Sequence, residues 1–369
     1  MNKKLLAVAL ATAFAAPAMA EGVTMYGAID LGYLVRGGSE GAAGNATGTE
    51  PTLSSGMNGH NGIGFKGGED LGNGMKLSFD AFFQFKMDSG EGAFAGSTFR
   101  TLYSTVALTG DHGTVVAGRT GGARAAWIKK YDPFGGFGVA GALQVTGGGA
   151  VGGGEDYANN VVAWVTPEIL PGLKGLFAYT SSLDSEDQVV RAPATRKAGS
   201  GNLYAIAAMY DSGPLSFVVN YERLAIYAPL LNGETVQVAT VGGSYDFGVV
   251  KVFGLWDQLT NLGNGWQAGL SAPVGEATTL KVGYATNETR GPGLGQGECT
   301  KLGVGGTHQL SKRTNLYADY ARLLDAERGS ACANGINTYG GTHGAIFGSD
   351  GQRNGYGEWG FNAGIRHTF

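Results

Sequence analysis

Five histidines, two cysteines, 26 basic and 30 acidic side chains are the groups with which this chain of 369 residues could do chemistry. Their spacing assembles no reaction centre. His60, His112, His308, His343 and His367 are scattered, with no His-Glu-x-x-His pair and no closely spaced ligand set for zinc. The glycine tract Gly147–Gly154 lacks the Lys-Ser/Thr that would complete a phosphate loop, so it reads as flexible chain. A formal charge of −4 gives no electrostatic case for nucleic acid. No enzyme activity, cofactor or metal is expected. What remains for the charges is electrostatic work, and that depends on the elements that hold them.

Those elements are strands. Glycine supplies 67 residues, while aromatics still reach 10% and charged residues only 15%. That much glycine inside helices would cost roughly 1 kcal/mol per position against Ala. Disorder goes with few aromatics and high net charge, and the glycines follow no three-residue collagen period. Residues 1–20 read as a secretory signal peptide: Lys3 and Lys4, then an apolar run from Leu5 to Ala16, then Ala18-Met19-Ala20 as the cleavage signature. The remaining 21–369 contains no 18-residue apolar run, so a helical membrane span is excluded. A soluble secreted β protein and a membrane barrel are left.

Alternation favours the barrel. Met75, Leu77, Phe79, Ala81, Phe83 and Phe85 face one way, and Lys76, Ser78, Asp80, Phe82, Gln84 and Lys86 the other. The ending repeats the pattern, with Trp359, Phe361, Ala363, Ile365, His367 and Phe369 against Glu358, Asn362, Arg366 and Thr368. Seven tight turns are expected at Asp70–Gly74, Gly110–Gly113, Pro167–Gly172, Asp211–Pro214, Tyr245–Gly248, Ala272–Glu276 and Leu310–Thr314. They alternate with eight longer stretches, at 37–60, 88–97, 121–157, 182–201, 226–234, 261–264, 287–298 and 324–356. Fifteen connections join sixteen strands, with short turns on one side and long loops on the other. The fold class is therefore an all-β, 16-stranded antiparallel transmembrane barrel with an aqueous lumen. Leu203–Tyr210 and Thr114–Arg119 are apolar or small on both faces, as strands at a subunit interface would be.

Strand parity turns Arg36, Lys66, Lys76 and Lys86 toward the lumen, with Lys251, Lys281, Lys301 and Arg366. The lumen acids are Asp30, Asp80, Glu222, Asp257, Asp319 and Glu358. Eight against six does not fix an ion preference.

Several stretches resemble the general diffusion porins of Gram-negative bacteria, in their betaproteobacterial branch. They are Val23-Thr-Met-Tyr-Gly-Ala-Ile-Asp30, Gly67-Gly-Glu-Asp-Leu-Gly72, Ala158-Asn-Asn160, Ala272-Pro-Val-Gly275, Leu310–Tyr317 and Gly364-Ile-Arg-His-Thr-Phe369. The resemblance implies a homotrimer in the cell outer membrane, embedded in lipid and lipopolysaccharide. It implies passive diffusion of ions and small hydrophilic solutes. It also implies delivery by periplasmic chaperones, with Phe369 read by the barrel-assembly machinery. The third long loop, 121–157, would fold inward and set acids against a basic wall. Asp132, Glu155 and Asp156 are its acids, Arg124, Lys129 and Lys130 its bases. Arg36, Lys66, Lys86, Tyr103, Arg119, Tyr157 and Arg366 complete the expected constriction. An outward surface loop is the other reading of 121–157.

The chain departs from the family pattern at three positions. Anion-selective relatives carry arginines where this sequence has Gly62, Tyr103 and Tyr157. The change weakens the expected anion preference and leaves tyrosines to line a path for less polar solutes. A substrate-selective channel with a ladder of Tyr26, Tyr103, Tyr157 and Tyr317 is thus an alternative, as is a plugged adhesin-type barrel with an extended eighth loop. Asp184, Glu186 and Asp187 suit a solvated run, or calcium shared with lipopolysaccharide. Cys299 and Cys332 flank one strand pair near long loops; export to an oxidising compartment predicts a disulfide, against two free thiols.

Overall fold

The computed structural model describes residues 22–37, 50–90, 101–147, 157–181, 202–225, 235–260, 262–289, 297–326 and 358–369. The leader, Glu155, Asp156, the 184–187 acids and Cys332 lie outside these.

Alternation and turn chemistry yield strands in the expected order. They are β1 (Thr24–Gly37), β2 (Glu50–Ser55), β3 (Gly62–Gly72), β4 (Met75–Gln84), β5 (Tyr103–Gly110), β6 (Gly113–Gly121), β7 (Tyr157–Val165), β8 (Leu173–Thr180) and β9 (Leu203–Ser212). Then follow β10 (Leu215–Ala225), β11 (Thr235–Asp246), β12 (Lys251–Leu259), β13 (Gly263–Val274), β14 (Thr278–Thr289), β15 (Gly297–Gln309), β16 (Thr314–Ala326) and β17 (Trp359–Thr368). All seven tight turns fall between strand pairs. Asn73 and Gly74 both hold positive φ, 51° and 74°, the pairing a two-residue hairpin with right-twisted strands requires.

Apart from β2 and β3, consecutive strands pair antiparallel, and β17 returns to β1 from Ala28↔Thr368 to Gly37↔Trp359. The barrel is closed, as a sheet spanning lipid must be. Phe369 finishes the seam: its N–H donates to the Gly27 carbonyl at 3.0 Å, and its own carbonyl accepts from the Gly27 N–H at 3.1 Å.

The seventeen described strands make sixteen staves, because β2 and β3 are two halves of one. β2 pairs with the upper part of β1 and β3 with the lower part. The expected long loop over 37–60 therefore needs correcting, since it contains a strand. Between the halves, Gly56–Asn61 leaves the ladder and is captured by Asp30. The Asn58 N–H donates to the Asp30 carboxylate at 2.6 Å, and Gly56 N–H and Asn61 Nδ2 donate to its carbonyl at 3.1 and 2.8 Å. No local signal in 37–60 announces this, because the captor sits on another strand.

Outward positions carry large exposed apolar side chains, among them Met25, Ile29, Tyr33, Leu77, Phe79, Val106, Leu108, Phe361 and Ile365. Such a surface suits hydrocarbon. The apolar inner positions of β7 to β10 are covered from within the barrel. Helix α1 (Ala123–Lys130), in the third loop, lies against them. Its Ala125, Trp127 and Ile128 pack with Val161, Ala163, Leu176, Ala207 and Val218 in one buried cluster.

Candidate pore constriction

The third loop enters the barrel and is fixed to its wall by a series of buried polar contacts. At its start, the Arg124 guanidinium meets Asp257 of β12 through Nε at 2.7 Å and Nη2 at 2.6 Å. The Arg124 backbone N–H donates to Glu222 of β10 at 2.8 Å. Gln267 of β13 donates to the carbonyls of Ile128 and Tyr131 at 2.8 and 3.0 Å. Lys301 of β15 donates to the carbonyls of Val139 and Gly141 at 3.1 and 2.5 Å. Asn287 of β14 holds the Val145 carbonyl at 2.6 Å, and Asn362 of β17 accepts from the Val139 N–H at 2.8 Å.

Small wall residues let the loop lie close. A Cβ at Gly242 would come within 2.6 Å of the Tyr131 ring, at Gly269 within 2.5 Å of Pro133 and at Gly303 within 2.7 Å of Ala140. Gly269, Gly283 and Gly303 are direct neighbours across β13, β14 and β15, forming a trough under residues 133–140. Part of the glycine excess thus answers to the loop rather than to turns.

Asp132 organises the loop's tip. Its carboxylate accepts the N–H groups of Phe134, Gly136 and Ala142 at 3.0, 2.8 and 2.7 Å. Burial pushes its carboxyl above the ordinary carboxylate range, against the pull of those three donors and Lys301. Burial likewise raises the Tyr131 phenol, whose oxygen lies 3.0 Å from Ser216 Oγ.

The tip then meets the segment between β2 and β3. Met57 packs with Val139 and Ala140, and the Phe137 ring stands edge-on to His60 with centroids 5.1 Å apart. Two inward segments, far apart in sequence, therefore narrow one lumen. Beside them, starting from Tyr157 at 6.1 Å from His60, the wall carries rings. Tyr26, Phe82, Tyr103 and Tyr157 follow one another across β1, β4, β5 and β7.

A sequence model of the family described as Gram-negative porin matches residues 7–327. The chain belongs to the Gram-negative porin family. Outer membrane porin protein 32 of Delftia acidovorans is 28% identical over 381 residues, spanning all of both chains. An outer membrane porin protein of Bordetella pertussis is 29% identical over 389 residues, covering 89% of this chain and 97% of that one. Among solved structures, the anion-selective porin from Comamonas acidovorans superposes with a TM-score of 0.72 at 28% identity, covering 94% of this chain and 99% of that chain. Salmonella typhi OmpF, at 14% identity and a TM-score of 0.67 over 94% of this chain and 97% of its own, shares the fold. This porin is accordingly an outer-membrane diffusion channel of a Gram-negative bacterium.

The expected constriction residues in this porin divide into two groups. Arg124 and Asp132 are buried, 7% and 5% exposed, and act as struts between loop and wall. Lys130 is half-buried and forms an ion pair with Asp211 at 2.9 Å. Arg36, Lys66, Lys86, Arg119, Lys129 and Arg366 are also half-buried. Arg119 donates to the Leu102 carbonyl at 2.9 Å and to Asn159 at 2.6 Å. Arg366 stands opposite Asp30 in the β1–β17 register, against Gly59. Tyr103 and Tyr157 join the ring row with Tyr26. Tyr317 does not: it is 3% exposed and donates to Asp30 at 2.5 Å. Sequence reasoning missed His60 and Phe137; the aromatic type alone gave no sign of their meeting. Cys299 is fully buried and is not a free thiol.

Proposed function

We propose that this porin favours anions among the ions and small hydrophilic solutes it passes. One observation carries the reading. Of the six lumen acids expected from parity, Asp30, Glu222, Asp257 and Asp319 are buried, none more than 6% exposed. Of the eight lumen cations only Lys301 is, and the other seven keep partial exposure. The acids have been drawn into the wall, where hydrogen bonds and Arg124 compensate them, so the potential felt by a permeating ion is set by lysine and arginine. The anion-selective Comamonas porin, a relative at 28% identity, supports the same sign. Gly62, Tyr103 and Tyr157 in place of arginines make the preference moderate. Reversal potentials in a potassium chloride gradient test it: a chloride-directed shift is expected, and a potassium-directed one overturns the reading.

The working unit on this reading is a homotrimer, matured by removal of residues 1–20, with a bridge from Cys299 to Cys332. Family resemblance and the export signature support these statements. Three equal conductance steps per insertion event would be the mark of the trimer, and single steps would exclude it.

A further inference from the structure

We propose that the row of rings on the lumen wall is a subsite for planar aromatic anions, with aromatic carboxylates as the chemical class. The proposal deepens the anion reading and relies on it only for the sign of the solute's charge.

The rings are built into the wall rather than scattered on it. Phe82 and Tyr103 stack with centroids 5.6 Å apart at 11°, and Tyr103 and Tyr157 at 6.2 Å and 15°. Tyr26 continues the row, 5.9 Å from Phe82. Glycines make room for them. A Cβ at Gly62 would strike the Phe82 ring, and one at Gly64 would strike the Tyr26 ring. The phenol edges are tied: Tyr26 donates to Asp80, and its oxygen lies 2.7 Å from that of Tyr103. With hydroxyls fixed, ring faces are fixed, and Tyr26 and Tyr103 keep partial exposure.

Cations stand over these faces. Lys66 Nζ is 4.9 Å from the Tyr26 centroid. The Arg119 guanidinium is 5.7 Å and Lys129 Nζ 5.9 Å from the Tyr157 centroid. Asp80 is the acid set against the row, and it accepts the Tyr26 hydroxyl. Phe82 and Tyr157 are buried, so a solute meets the row at Tyr26 and Tyr103, where Lys66 is the positive group within reach of its edge. Acetate has the charge without the stacking surface, a neutral arene the surface without the charge, and benzylamine carries the wrong sign. Only a planar aromatic anion uses both features.

The experiment is block of chloride current through the reconstituted porin by benzoate, cyclohexanecarboxylate and benzylamine. Benzoate is expected to block saturably, at least tenfold more tightly than cyclohexanecarboxylate, with benzylamine inert. Tyr26→Leu/Tyr103→Leu should remove the tenfold difference, and Gly64→Ala, which pushes Tyr26 off the wall, should reduce it. Heat-modifiable migration in both variants reports an intact barrel. Equal block by benzoate and cyclohexanecarboxylate overturns the proposal, because charge alone then suffices. Block by benzylamine as tight as by benzoate overturns it from the other side. A potassium-directed reversal potential together with selective benzoate block removes the anion reading and leaves the subsite. A chloride-directed potential without benzoate selectivity does the reverse.

Discussion

Replacing Asp257 with alanine tests whether the third loop is held by charge. The two Asp257 oxygens take Arg124 Nε, Arg124 Nη2 and Thr240 Oγ1 at 2.7, 2.6 and 2.7 Å, and the residue is fully buried. Truncation leaves a guanidinium that is only 7% exposed facing no bonded acid. Breaking one side of a buried pair costs about 3–5 kcal/mol. The lower end applies here, because Glu222 stays beside Arg124 on its backbone N–H. At about 1.4 kcal/mol per factor of ten, 3 kcal/mol shifts the docked-to-released balance of α1 by about a hundredfold. The barrel does not share the loss, since the β11–β12 ladder is backbone-paired on both sides of Thr240↔Asp257. Gln267, Asn287 and Lys301 still hold the rest of the loop. Single-channel recording should therefore show excess open-channel noise and brief higher-conductance states with unchanged heat-modifiability. Arg124→Met/Asp257→Leu should return a quiet trace, because no unpaired charge remains. A quiet trace and unaltered proteolysis of the loop in Asp257→Ala would refute the strut.

Gly303→Val should push residues 139–141 off the wall into the lumen and lower conductance, read in the same recordings; a Cβ there would already come within 2.7 Å of Ala140. Asp132→Asn offers one acceptor where three N–H groups and Lys301 now converge, so about 1–3 kcal/mol is lost at the loop tip, read as faster amide exchange at Gly136 and Ala142. With the proposed Cys299–Cys332 bridge in place, Cys332→Ser would remove about 3–4 kcal/mol of constraint on the unfolded chain and heat modification should begin at lower temperature; an unchanged transition would argue against the bridge.

What could be read from the sequence was local. Period-two alternation in β4 and β17, and turn residues such as Asn73-Gly74, need only near neighbours. The bounds of the third loop, at Gly121 and Tyr157, follow from the same signals. Arg124 and Asp257 are 133 positions apart, and nothing near either announces that the lumen-facing acid will be buried. The β2–β3 break was hidden for a similar reason, since Asp30 holds it from another strand. In Leu203–Tyr210 the apolar residues on both faces were visible, but only the structure shows that the inward Ala207 lies in the cluster under α1.

The third loop lines only part of the circumference. From β7 round to β17 the wall is two layers deep, while β4 to β6 remain one backbone thick. A tube reinforced on one side bends unevenly, so membrane tension concentrates its strain in the thin staves. Those staves carry Phe82, Tyr103 and Arg119, so a stiffening mutation there tests whether the proposed solute face must yield.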